Sequence, residues 1–152
     1  MLEIARKKAD RKKGNAQVSW IQGDAQALPF SDNRFSFITT GFGVRNFSDI
    51  DAGLREMVRV AKPNGRVVIL DIVPIRGNNL IHKIKKFYFN RIVPKLGSLL
   101  AGDPEGYTYL PESVEQFIGP EDLSQLMEDA GLQNVSYRLL GFGAVAMHVG
   151  QK

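Results

Sequence analysis

The stretch GDAQALPFSDNRFSFITTGFGVRN, residues 23–46, decides how this chain is read. It opens on a turn and continues as a polar loop to residue 34. Residues 35–40, FSFITT, are aromatic and β-branched, a composition that favours a strand. A second turn follows, carrying Arg45 and Asn46. In open α/β sheets ligands gather at the carboxyl ends of strands, where an acidic residue and a glycine can meet a nucleoside. Asp24 and Gly41 hold such places here. The glycine-rich turn that ordinarily precedes a segment of this kind is not in the sequence.

The pattern extends outward on both sides. Upstream, residues 2–13 have a helical pattern with Leu2, Ala5 and Ala9 on one face, stopped by Gly14-Asn15. Residues 18–22, with Trp20 and Ile21, are a strand candidate. Downstream, Ser48 or Asp49 can cap a helix over residues 50–61, with Leu54, Met57, Val58 and Ala61 as its apolar stripe. Lys62-Pro63-Asn64-Gly65 ends it, because proline lacks a donor and the Asn-Gly pair makes a tight turn. Residues 66–73, RVVILDIV, are nearly continuous apolar chain, as expected of a parallel strand covered on both faces.

Residues 80–100 are mostly helical in pattern, broken by Pro94 and Gly97, and a turn-rich connection and a short helix over 111–117 follow. Gly119-Pro120-Glu121 opens another helix, with Leu123, Leu126, Met127 and Ala130 inward and Gly131 at its end. Residues 135–140 and 144–149 flank Gly141-Phe142-Gly143 and form an antiparallel hairpin at a sheet edge. Strands alternating with helices predict an α/β domain with a mostly parallel sheet.

The bulk numbers narrow the function classes. With 152 residues, 43% apolar and 24% charged, one soluble domain with a single core is expected. No apolar run is long enough for a bilayer, and the charged amino terminus lacks the apolar core of a secretory signal. Zero cysteines exclude disulfides and thiolate metal sites and fit a reducing compartment. His82 and His148 lie far apart, so no metal centre is expected. The net charge of +4 is concentrated in two clusters, Arg6 to Lys13 and Lys83 to Lys95. The basic residues are not interleaved with stacking aromatics in the manner of a single-strand groove, which argues against a nucleic-acid partner.

KPNGRVVILDI (62–72) resembles the post-helix turn and fifth strand of class I S-adenosylmethionine-dependent methyltransferases. GDAQALPFSDNRF, FGVRN, RVAKPNGR, PKLGSLLAGD, YTYLPESVEQF and AVAMHVG, in this order, resemble the ubiquinone/menaquinone biosynthesis C-methyltransferases of the UbiE type. The resemblance implies a Rossmann-like class I fold with strand order 3-2-1-4-5-7-6 and strand 7 antiparallel. Residues 18–22 are then strand 3, 35–40 strand 4, 66–73 strand 5, and the last hairpin strands 6 and 7. Strands 1 and 2, the glycine-rich loop and the ribose-binding acidic residue have no counterpart, roughly 60–80 residues in all. Residues 1–152 are thus expected to form one truncated methyltransferase domain, with 78–118 as a helical and loop insertion covering the substrate. Strand 3 and strand 4 both lose their partners. Either they pair with each other, or another chain, a second copy included, covers the exposed edge.

The activity implied is C-methylation of a demethylated quinol with S-adenosylmethionine as cofactor. The alternatives are a catalytically silent subunit associating through its sheet edge and a methyltransferase acting on another small lipophilic phenol. By resemblance Asp24 accepts from the adenine amine, Ala25 admits the ring, and Gly41 packs against the methionine part, with the Thr40 hydroxyl nearby. Gly23-Asp24 can equally be a turn with an Asp cap, and Gly41 and Gly43 plain flexible residues. Arg45 can stabilise a phenolate electrostatically while proton removal falls to a water or another acceptor, and Asn46 can orient either species. Its other reading is a surface ion pair with Asp49 or Asp51.

By resemblance Tyr107 and Tyr109 help roof the substrate, where tyrosines can stack on the quinone and hydrogen-bond its oxygens; otherwise one of the two is a core anchor. Asp71 ends a strand where ligands bind, or caps a turn toward Pro74. His148 is expected to face a helix as a satisfied histidine, and His82 to be solvated. The basic, apolar segment 80–100 can line a tunnel for a lipid tail or touch a membrane surface transiently. A cytoplasmic or organelle-interior location, peripheral to a membrane, follows from that reading. Two departures from the family pattern stand out. Ser36 replaces an Asp that ties down the preceding loop, which predicts loosening there. Asn64 replaces a glycine, a mild change because Asn tolerates the left-handed conformation.

Overall fold

The computed structural model describes residues 18–74 and 113–152, together with Glu3. The helix expected over 2–13, the insertion before residue 113, His82, Tyr107 and Tyr109 lie outside the described residues. Strand β1 (Phe35–Gly41) leads through a 3-10 turn (Val44–Asn46) into helix α1 (Ile50–Val60) and strand β2 (Ala61–Ile72). A helical turn at 113–116 precedes helix α2 (Pro120–Asp129), strand β3 (Gln133–Leu140), a 3-10 turn (Gly141–Gly143) and strand β4 (Val145–Gln151).

The sheet has four strands in the order β1-β2-β4-β3. β1 and β2 are parallel, and β4 is antiparallel to both its neighbours. This is the expected 4-5-7-6 half. The hairpin sits at a sheet edge as expected, with β3 outermost.

Helix α1 starts where its cap chemistry dictates. The Asp49 side chain accepts from the Ala52 N–H at 2.9 Å, satisfying one of the donors every helix start leaves open. Helix α2 begins at Pro120, whose missing N–H costs nothing in the first turn. Gly131, at φ +103, lets the chain leave it. Leu54 and Met57 of α1 and Leu123 and Met127 of α2 pack on Val67, Ile69, Val73 and Ala146 of the sheet, with Val44, Phe117 and Leu132 closing the core.

Three expectations change. The run 18–22 is not a strand: it is irregular, and Val18, Trp20 and Ile21 are exposed. β-branched and aromatic content suits a pleated surface only when a neighbouring strand is there to pair with. It therefore does not pair with β1, which is the outermost strand of the described sheet. Second, β2 is buried on one face only, through Val67, Ile69 and Asp71; Val68, Leu70 and Ile72 on the other are half-buried.

Third, Lys62-Pro63-Asn64-Gly65 does not separate helix from strand. Ala61 already pairs with Phe35, Arg66 pairs with Phe37, and the four residues between loop out as a bulge. Asn64 takes φ 65, the left-handed conformation expected of it. The carboxyl terminus stitches the bulge: Asn64 N–H donates to the Lys152 carbonyl (2.8 Å) and Lys152 N–H to that of Gly65 (2.9 Å). A Cβ on Gly65 would lie 2.8 Å from the Lys62 carbonyl oxygen, so that position requires glycine.

His148 faces α2, as expected. It is fully buried, with Nε2 2.9 Å from the Pro120 carbonyl oxygen and its ring stacked on Tyr137. Nε2 therefore carries the proton, and Nδ1 has no partner among the described residues, so the histidine is only half satisfied, contrary to expectation. Burial pushes its pKa below the ordinary 6.5, outweighing the Pro120 carbonyl and the Glu121 charge. The unfolded chain therefore binds a proton here more readily than the folded one. Stability from this group is full above about pH 6.5 and falls as the pH drops below it. Urea unfolding midpoints measured between about pH 7 and 5 will show that decline, and a His148→Phe variant will flatten it.

Candidate functional site

Those expected site residues that fall among the described residues lie on the turn after β1, the loop before it and the carboxyl end of β2. Gly41 ends β1, and Phe42 follows with φ 59. A bulky residue in the left-handed region costs about 1–2 kcal/mol, so its surroundings must hold it there. They do so from two sides. The Phe42 N–H donates to the Leu70 carbonyl at 2.7 Å. Its carbonyl accepts from Arg45 Nη1 at 2.8 Å and from Asn46 Nδ2 at 3.5 Å.

Arg45 is fixed by the same network. Its Nη1 lies 3.0 Å from Asp71 Oδ1, its backbone N–H donates to Asp71 Oδ2 at 3.2 Å, and its Nε reaches the Ser113 hydroxyl at 3.4 Å. Asp71 is 1% exposed, the Arg45 side chain 11%. Asp71 Oδ1 also accepts from the Ile72 N–H at 2.9 Å. The alternative of a surface pair with Asp49 or Asp51 is thereby overturned: Asp49 caps α1, and Asp51 pairs with Arg55 at 2.8 Å. Asp71 is neither a free ligand position nor a cap toward Pro74. Its charge neutralises Arg45, so the guanidinium offers a ligand an oriented donor at Nη2 more than an unpaired cation.

The loop 23–34 is anchored to helix α1. Arg59 donates to the carbonyls of Leu28 (3.0 Å) and Phe30 (2.8 Å) and pairs with Asp32 (2.6 Å) and Glu56 (2.7 Å). Glu56 in turn accepts from the Leu28 N–H at 2.8 Å. The hydrogen bond from Arg59 holds the Glu56 carboxyl below the usual range against the opposing effect of burial, helped by the Leu28 N–H. Ser36 therefore does not leave this loop untied; Arg59 ties it instead. Asp24 opens the loop as a local turn, its Oδ1 accepting from the Gln26 N–H at 2.9 Å, with Ala25 half-buried beside it. Gln26 Nε2 donates to Ser48 Oγ at 2.9 Å, linking the Asp24 turn to the segment that follows Arg45 and Asn46. The two turns singled out in the sequence are thus joined.

Gly41 supplies a test of fit for a bound cofactor. It lies in ordinary strand conformation, and a Cβ built on it meets no atom of the described residues, its chain neighbours aside, within 4 Å. Among the described residues neither backbone strain nor packing asks for glycine there, whereas a ligand lying on the backbone would. Asp24 is exposed, with a carboxylate able to accept further bonds. These residues fit an adenosyl ligand. Among the described residues no cluster of His, Asp and Glu could hold a metal.

Residues 1–152 match the model of the ubiE/COQ5 methyltransferase family. The chain belongs to that family. Its relatives in the ubiE/COQ5 family include the mitochondrial 2-methoxy-6-polyprenyl-1,4-benzoquinol methylase of Bos taurus, 42% identical over all of this chain and 46% of that protein. The demethylmenaquinone methyltransferase of Roseiflexus castenholzii is 48% identical over 88% of this chain and 56% of that protein. That of Thermus thermophilus is 43% identical over all of this chain and 67% of that protein. The chain thus spans about half to two thirds of the length of these curated relatives. An S-adenosylmethionine-dependent methyltransferase from Aquifex aeolicus shares the fold, with a TM-score of 0.64 at 20% identity, covering 99% of this chain and 62% of that one.

Sequence reasoning missed Phe42, Ser113 and Arg59. The Gly-Phe-Gly triplet was the available signal for the first. Glu56 and Arg59, three apart on a helix, were one for the last.

Proposed function

We propose that the chain carries the substrate-facing half of a quinol C-methyltransferase. The family match over residues 1–152 carries this reading, and the open side of Gly41 supports the site. Bound there, S-adenosylmethionine would supply an electrophilic methyl group, leaving a neutral thioether behind. Asp24 and Ala25 receive the adenine and Gly41 the methionine part. A phenolic proton of the quinol would pass to water or another acceptor, spreading negative charge over the oxygen and the adjacent ring carbon; that carbon would take the methyl group and give up its own hydrogen as a proton, and reprotonation of the oxygen would restore the aromatic ring. Arg45 Nη2 and Asn46 orient and stabilise that oxygen. Tyr107 and Tyr109, outside the described residues, are assigned to the ring by the family resemblance alone. The substrate is lipophilic, and the basic, apolar sequence of 80–100 suits contact with its tail or with a membrane surface. Among the described residues no helix is long and apolar enough to cross a membrane.

A second reading, a silent subunit that binds another chain, has one observation beside it: no strand of the described residues pairs with the outer edge of β1. Calorimetric titration of S-adenosylmethionine into the 152-residue chain separates the two. Binding in the range of about 1–100 µM supports the enzyme; no heat at about 1 mM supports the silent subunit. Product analysis with a demethylated quinol and a simple lipophilic phenol then distinguishes the substrate class.

A further inference from the structure

We propose that Arg59, backed by Glu56, is the positioning residue of the Asp24–Ala25 turn, acting through Leu28, Phe30 and the Pro29 ring between them. The inference rests on the reading of that turn as the adenine site, and adds what sets its place.

All five N–H groups of the Arg59 guanidinium are used. Nε and Nη2 form a fork on the two Glu56 carboxylate oxygens, at 2.7 and 2.8 Å. Nη1 donates to the Phe30 carbonyl at 2.8 Å and to Asp32 Oδ1 at 2.6 Å, and Nη2 to the Leu28 carbonyl at 3.0 Å. Glu56 Oε2 accepts from the Leu28 N–H at 2.8 Å, so Leu28 is held by both of its backbone groups. The loop then runs onto the same turn of helix: the Asn33 N–H donates to the Arg59 carbonyl at 3.0 Å and the Arg34 N–H to that of Val60 at 2.8 Å. The Phe30 ring meets Phe35 edge-on at 4.9 Å, which keys the segment to the start of β1. A planar fork with five donors can make this set of bonds; an ammonium with three cannot. No Arg59 donor is left for a ligand, so its part is to place and not to bind.

Gripping residues 28 and 30 fixes the ring between them, and that ring bears on Gly23. A Cβ at Gly23 would lie 2.9 Å from Pro29 Cδ and 3.2 Å from Cγ, although the Gly23 backbone is not left-handed. Glycine stands there for close approach. The next residue is Asp24. Beyond it the Ala27 N–H donates to the Asp24 carbonyl at 3.1 Å, and Gln26 is bonded to Ser48. The turn thus has a stop on one side and a tie on the other, and α1 sets the stop.

Amide hydrogen exchange of the cofactor-free chain, read residue by residue, tests the relay. Arg59→Lys keeps the charge and loses the fork, and the Leu28 and Ala27 amides then exchange at least about threefold faster. A guanidinium that serves only its own helix and Leu28 leaves Ala27 at the wild-type rate. Gly23→Ala drives the turn off the Pro29 ring and speeds Ala27 to a similar degree. In the Arg59→Lys background the ring gives way, so Gly23→Ala adds less than about twofold. Arg55→Ala, in a surface pair with Asp51 on the same helix, changes neither amide. Affinity for S-adenosylmethionine, measured by calorimetry, falls at least about tenfold in Arg59→Lys and in Gly23→Ala, because a misplacement of about 1 Å costs up to about 100-fold. An unchanged Ala27 rate in Arg59→Lys, or effects of the two changes that simply add, overturns the relay. Faster exchange with unchanged affinity, or a wild type that binds no cofactor, overturns instead the placement of adenine at this turn, so the two readings fail separately.

Discussion

Replacing Asp71 by alanine lowers folding stability by about 3 kcal/mol, the largest single-residue effect outside the apolar core. Removing one partner of a buried ion pair strands the other charge in a poor solvent, at about 3–5 kcal/mol. The 11% exposure of Arg45 puts this case at the low end. The Arg45 guanidinium, the Arg45 N–H and the Ile72 N–H all lose an acceptor at once. Arg45→Ala costs less, because the two backbone donors remain to solvate the Asp71 carboxylate. Urea unfolding of the two single variants and the double variant checks both statements. The double variant is expected to be destabilised by less than the sum of the singles. A loss below about 1 kcal/mol for Asp71→Ala would place this pair with exposed ion pairs and refute its role as the clamp on the Phe42 turn.

That clamp marks where the sequence stops being legible. Helix α1 and the β3–β4 hairpin could be read because their signals are local: an Asp cap with an apolar stripe, and two apolar runs about a Gly-Phe-Gly turn. The parallel partnership of β1 and β2 followed from the helix between them. Asp71 and Arg45 are 26 positions apart, and an acidic residue at a strand end looks the same whether it awaits a ligand or an arginine. Pairing depends on which strands become neighbours, and only the folded sheet supplies that. The run 18–22 failed for the complementary reason: its composition suits a strand, but strand status belongs to a pair. Arg59 escaped notice because two of its contacts on the loop are carbonyls, which no side-chain pattern encodes. The Gly41 turn could be read because it follows a strand whose composition is local, whereas Asp24 stands in a local turn with no strand before it, and the Gln26–Ser48 bond links the two segments.

Gly41→Val separates folding from ligand binding more sharply than any change at Arg45, since Arg45 serves both the turn and the proposed chemistry. Gly41 lies in β1, a Cβ there touches no atom of the described residues, its chain neighbours aside, within 4 Å, and its backbone is not left-handed. Valine also favours a strand over glycine, by up to about 1 kcal/mol. The variant is therefore expected to unfold at the same urea concentration as the wild type or slightly higher. If the methionine part of S-adenosylmethionine lies on this backbone, a branched side chain takes its place, and affinity falls by at least about 100-fold, or 2.7 kcal/mol. Calorimetric titration of both proteins gives the comparison directly. Equal affinities at equal stability would move the cofactor away from the carboxyl end of β1. Loss of affinity with an unchanged unfolding midpoint would leave ligand contact as the reason a glycine stands where neither the backbone nor the core requires one.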